Sequence, residues 1–116
     1  MDAPLALLQG TLDVLILKTV SWHPLHGYAV SRAIRARSGD VLAVDDAALY
    51  QALHRLERRG WIASEWGRSD TNRRAKYYAL TDAGRRQLTV EDATWRRYVS
   101  AVAAVLDADA PLPAPA

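Results

Sequence analysis

The chain is 116 residues long, half of it hydrophobic and 24% of it charged, a globular composition with room for one modest core. It has no cysteine, which excludes disulfides and thiolate metal sites, and its longest stretch without Asp, Glu, Lys or Arg, residues 19–31, contains Pro24 and Gly27 and is too short to span a bilayer. Formal net charge is only +2, yet residues 54–86 hold nine Lys or Arg against four acids while the remainder holds six against nine, so the positive excess sits mid-chain as a candidate footprint for a polyanion.

No Lys or Arg precedes Lys18, so the beginning does not read as a secretory signal and a cytoplasmic protein is expected. Over residues 4–20, Leu5, Leu8, Leu12, Leu15, Ile16 and Thr19 recur at spacings of three and four, which predicts a first helix with one broad buried face. Pro24 then marks a loop over residues 22–26. Tyr28, Val30, Ala33 and Ile34 predict a short second helix ending near Ser38 and Gly39, with a connector over residues 40–44.

The third helix has the clearest start. Asp45 is placed to cap it, Val44 and Leu49 stand at the two positions of a hydrophobic staple, and Gly60 ends it. Leu49, Leu53 and Leu56 fall within about 60° of one another on the helical wheel, with Ala47, Gln51, His54 and Arg58 opposite and Tyr50 and Arg55 on the flanks. One face therefore belongs to the core and the other is open.

Residues 61–66 and 76–80 read as two strands, and the turn-rich residues 67–75 between them make a β-hairpin with a basic tip. Thr81 is placed to cap a final helix with the apolar stripe Leu88, Trp95, Tyr98, Val99, Val102, Val105 and Leu106, large for a helix with so small a domain to pack on. Three prolines end the chain in a tail over residues 108–116, expected to be flexible. The fold class is mainly α with a small β-hairpin (α+β). Three helices, a hairpin and a further helix is the order of a winged helix-turn-helix domain, whose third helix enters the major groove and whose hairpin is the wing.

The residues that fill this order resemble the PadR-like transcriptional regulators. The resemblance runs from Leu8-Gln9-Gly10-Thr11-Leu12-Asp13 to the helix around Trp95. It is strongest at His26-Gly27-Tyr28, Leu49-Tyr50-Gln51-Ala52-Leu53-His54-Arg55-Leu56-Glu57, Gly60-Trp61-Ile62 and Asn72-Arg73-Arg74-Ala75-Lys76-Tyr77-Tyr78, with Leu80-Thr81 and Gly84 following. It implies a homodimeric DNA-binding repressor of the family's compact class, some members of which respond to aromatic or drug-like ligands. The expected organisation is a winged-helix DNA-binding domain over residues 1–80 and a dimerisation helix over residues 81–107. Ala47-Ala48 and Gln51 depart from the residues frequent at those family positions, so operator preference does not transfer.

The expected DNA contacts are Ala47, Tyr50, Gln51, His54, Arg55 and Arg58 on the third helix, and Arg68, Asn72, Arg73, Arg74 and Lys76 on the wing. Wing cations suit phosphates, whereas the amide of Gln51 can donate and accept at an adenine edge, with His54 a weaker reader. Leu5, Leu8, Leu12, Trp95, Tyr98, Val99, Val102 and Leu106 are the expected dimer interface, and Trp95 with Val99 the expected seat of a small flat aromatic effector. His23 and His26 are interrupted by Pro24 and lack companion ligands, so no metal is expected; no cofactor is implied either. No nucleophile and base constellation or phosphate loop points to an enzyme. The competing reading is a winged-helix interaction module whose basic face meets an acidic protein.

Overall fold

The computed structural model describes residues 3–7 and 10–114. In chain order these form β1 (Leu5–Ala6), α1 (Thr11–Thr19), β2 (Leu25–His26), α2 (Gly27–Arg37), β3 (Leu42–Ala43), α3 (Asp46–Arg58), β4 (Ile62–Arg68), β5 (Arg74–Leu80) and α4 (Asp82–Leu106). The mainly α architecture with a small antiparallel hairpin is the expected one. Ile16, Leu17 and Val20 of α1, Val30 and Ile34 of α2, and Leu49, Ala52, Leu53 and Leu56 of α3 form the core, closed by Ile62 and Tyr78 from the hairpin. The three helices thus pack their apolar stripes on one another and on the hairpin root, which fixes how α3 sits relative to the wing.

Four boundaries correct the sequence reading. The first helix begins at Thr11, not near Pro4. Gly10, left-handed at φ 85°, breaks the periodic pattern, and Leu5–Ala6 runs parallel to Leu42–Ala43 instead. Leu5 therefore lies on a strand and not on the stripe of α1. The loop expected over residues 22–26 ends in β2, which pairs antiparallel with β5 through Leu25↔Tyr78 and His26↔Tyr77 and makes β5 the middle strand of three. The connector before α3 contains β3.

The hairpin strands are longer than expected. Arg68 and Arg74 form the last rung of the ladder, and only residues 69–73 make the tip, with Asn72 left-handed at φ 60°. Gly67 reads as a turn residue but lies in the strand, where the ring of Tyr77 covers it at 3.1 Å from the position a Cβ would take.

The caps follow the sequence. Asp45 accepts from the backbone N–H of Ala48 at 3.0 Å and Thr81 from that of Gly84 at 3.0 Å. His26 caps α2, its Nδ1 accepting from Ala29 N–H at 3.1 Å, which gives the His-Gly-Tyr segment a local structural role. The 25 residues of α4 extend for about 37 Å. Gly84 and Leu88 anchor its start against the hairpin root and α1, while Tyr98, Val99, Val102, Val105 and Leu106 on its distal half are exposed. Among the described residues no helix is long and apolar enough to cross a membrane.

Candidate nucleic-acid interface

Packing Leu49, Leu53 and Leu56 inward leaves Ala47, Gln51, His54 and Arg58 of α3 exposed on the opposite side. The flanks are committed. Tyr50 leans over the start of α2, its Oη 2.9 Å from where a Gly27 Cβ would stand, so position 27 has no space for a side chain while the ring lies there. On the other flank Arg55 is bound to Asp13 of α1 in a partly buried ion pair. Arg55, expected as a DNA contact, thus also braces α1 against α3, because its position on the wheel lies toward α1.

The last turn of α3 is tied to the wing by Glu57, which accepts the Ser64 hydroxyl and pairs with Lys76 Nζ at 3.4 Å. The Ser64 hydrogen bond foremost, with the Lys76 charge assisting, outweighs partial burial and holds the Glu57 carboxyl below its ordinary 4.5. Burial beside this carboxylate pushes the Tyr78 phenol above 10, so it stays neutral beneath the sheet. Lys76, expected as a DNA contact, is likewise paired at the wing root.

At the tip, Ser69 N–H donates to the Arg73 carbonyl at 2.8 Å and Arg68 donates to the Asn72 carbonyl at 3.2 Å, while Arg73 projects exposed. The remaining wing cation, Arg74, lies with its guanidinium carbon 4.1 Å from the centre of the Trp66 ring. Gln51, His54, Arg58, Arg73 and Arg74 therefore keep an exposed position, and Arg68 and Asn72 shape the tip.

Two aromatic residues escaped the sequence reading. Tyr28, 65% exposed at the first turn of α2, faces Ser69–Arg73 of the tip across an open groove that Arg32 also lines. Trp66, 57% exposed, shares a second cleft with Tyr50, His54 and Arg74 between wing and helices. Trp66 is an aromatic residue in a strand, an element that ordinarily buries it, and only the strand register places it at the surface, whereas Tyr28 is exposed by its position on the first turn of α2.

The other candidate site is on α4. Trp95 is half-buried, its ring stacked on Tyr98 at 5.9 Å, and it lines an open groove with Val14, Lys18, Leu88 and Val99 between α1 and α4. Glu91 and Tyr98 border a smaller cleft on its other side. Leu12 is partly buried against the protomer's own core, Leu5 is exposed, and the expected contact at Leu8 falls outside the described residues.

A three-helix core with a β-hairpin at its edge, an open face on the third helix and cations at the hairpin define the class of winged helix-turn-helix proteins. Within that class the chain belongs to the PadR-like family of transcriptional regulators, whose model matches residues 16–90. It is similar to a PadR family transcriptional regulator of Eggerthella lenta, with 31% identity over 87% of this chain and 86% of that one and a TM-score of 0.73. A transcriptional regulator of Clostridium thermocellum is 28% identical over 81% of this chain and 88% of its own, TM-score 0.73. An uncharacterised protein of Lysinibacillus sphaericus is 29% identical over 83 residues, 72% of this chain and 76% of that protein.

Proposed function

We propose that this chain is a sequence-specific DNA-binding repressor that acts as a homodimer and is released by a small aromatic effector. The observation that carries the reading is the uncommitted face of α3, with Gln51 and His54 exposed beside a hairpin that presents Arg73 and Arg74. In this assignment α3 lies in the major groove, where the Gln51 amide meets base edges, and the wing positions the protein through phosphates. Arg55 and Lys76 act indirectly, by holding α3 against α1 and against the wing.

Dimerisation is assigned to the distal half of α4, supported by the run of exposed Tyr98, Val99, Val102, Val105 and Leu106, which water disfavours on a lone helix. A two-fold pair puts two recognition helices about one DNA turn apart or a multiple of it, so the operator repeats at roughly 10 base pairs or a multiple. Trp95 lies where α1, α4 and a partner's α4 would meet, and its flat face suits a planar aromatic molecule. Binding there would bias the separation of the two modules and so the operator affinity.

The test is selection of duplexes from a randomised pool. A regulator enriches one motif with two half-sites and binds it orders of magnitude more tightly than random duplex. Equal affinity for every duplex would instead favour an interaction module with an acidic protein partner.

A further inference from the structure

The four cations of the wing and its root are not equivalent. Lys76 is paired with Glu57, Arg68 is spent on the carbonyl of Asn72, and Arg73 stands at the tip. Among the described residues no carboxylate pairs with Arg74; its partner is the indole of Trp66. The register explains the meeting. Trp66 pairs with Lys76 and Arg68 with Arg74, so all four side chains leave the same face of the hairpin, the face on which Ser64 reaches Glu57 of α3. Arg74 is the diagonal neighbour of Trp66 on that face, and at 4.1 Å its guanidinium lies closer to a ring than any other cation among the described residues.

A guanidinium stacked on a ring uses its π-face, while its five N–H donors point outward in its own plane. Seated with its guanidinium carbon 4.1 Å over the indole, Arg74 has a partner that takes up no hydrogen-bond donor, whereas Lys76 is paired with the Glu57 carboxylate. The seat opens into the cleft bordered by Tyr50 and His54, between the wing and α3. In the DNA-binding reading, a duplex whose major groove receives α3 would carry backbone phosphates past this cleft.

We propose that Trp66 is a positioning residue for DNA binding: it holds Arg74 flat so that the guanidinium edge is presented to one backbone phosphate beside the recognition helix. The inference rests on the DNA-binding reading above and adds to it a specific division of labour, in which Arg74 is pre-ordered and Arg73 is not. An indole more than half exposed is otherwise a liability on a hairpin, and this assignment gives it a task.

The test is a double-mutant cycle in the full-length protein, using a random-sequence duplex of about 30 base pairs, three helical turns, at low salt, because a phosphate contact is independent of sequence. Trp66→Leu keeps apolar bulk without a π-face and should weaken binding about 2- to 30-fold per site, the range of an exposed to partly desolvated cation–π contact. Arg74→Ala should weaken it at least as much, and the double variant should be no worse than Arg74→Ala alone. Trp66→Phe should restore most of the loss. Arg74→Lys, which keeps the charge but cannot stack flat with its donors at the edge, should bind less tightly than the native protein, and it tests the seat without altering Trp66.

Additive losses in the cycle, or native affinity in Arg74→Lys, would overturn the proposal while leaving DNA binding intact. Failure of the native protein to bind any duplex would instead overturn the DNA-binding reading itself.

Discussion

Gly84 is the sole residue of α4 buried among those described, and replacing it with alanine should loosen the whole helix. A Cβ there would stand 1.9 Å from the Trp61 carbonyl oxygen and 2.8 Å from Leu80 Cδ1, whereas real Cβ contacts do not fall below 3.0 Å. The main obstacle is backbone, so α4 must retreat from Trp61 by about 1.1 Å, and the hydrogen bond from Thr81 N–H to the same carbonyl, 3.1 Å long, is stretched as it does. Overpacking of this kind costs about 1–3 kcal/mol and the strained hydrogen bond about 1 more, against a gain of up to about 1 kcal/mol from exchanging glycine for alanine in a helix. The net is about 1–3 kcal/mol of destabilisation, or about 4–12 °C in the midpoint of thermal unfolding for a domain of this size.

The same shift has leverage. If α4 pivots near Leu88, about 6 Å from Gly84, a 1.1 Å retreat is a tilt of about 10° and carries the end at Leu106 by about 5 Å. Differential scanning calorimetry of Gly84→Ala measures the first effect, and affinity for a two-half-site duplex against a single half-site measures the second. A variant that melts at or above the native temperature would refute the steric argument.

Further outcomes follow from the site and the helix. Arg73→Ala should weaken binding to all duplexes alike and lower the magnitude of the salt slope by about 0.9 per lost phosphate contact, whereas Gln51→Ala should change the motif selected from a randomised pool; electrophoretic titration across salt concentrations separates the two. Val99→Asp, a charge on a stripe residue that is 43% exposed in the single chain, should shift the sedimentation coefficient to that of a monomer, and a native-like dimer would remove α4 from the interface. Planar aromatic compounds should quench tryptophan emission less in Trp95→Ala than in the native protein, where Trp22, Trp61 and Trp66 also emit; an unchanged response would move the effector site elsewhere. Because folding depresses the Glu57 pKa, the stabilisation it brings is complete above the unfolded value near 4.5 and is lost as pH falls through the folded one. Urea unfolding of Ser64→Ala between about pH 6 and about pH 3 should therefore show a shallower acid limb than the native protein.

What could be read from the sequence was set by periodicity and punctuation. Leu49, Leu53 and Leu56 between Asp45 and Gly60 leave little choice but a helix with one buried face, and Thr81 with its stripe does the same for α4. Two-residue strands have no period to detect, so β1, β2 and β3 emerged only once the chain was folded. Pairing also decides what Gly67 and Ala75 do: both read as turn, yet the Asn72 tip leaves them in the ladder opposite each other. The site was half legible for the same reason. Exposure of Gln51 and His54 follows from the helical wheel, but the ties of Arg55 to Asp13, 42 residues away, and of Lys76 to Glu57 depend on how helices and hairpin meet. Counting positive charge cannot show such ties, and it missed Trp66 because a wing tryptophan reads as core until its register is known.

The division within α3 bears on how such a protein can change its target. Ala47, Gln51, His54 and Arg58 have no ion pair or side-chain hydrogen bond inside the protomer among the described residues, whereas Leu49, Leu53, Leu56, Arg55 and Glu57 are fastened to the core, to α1 or to the wing. Exposed positions of this kind tolerate replacement within about 0.5 kcal/mol. The four outward residues behave as an interchangeable faceplate on a fixed mount. In the proposed reading, where these residues meet the bases, a new operator preference can be written there by design without refolding the domain that carries it.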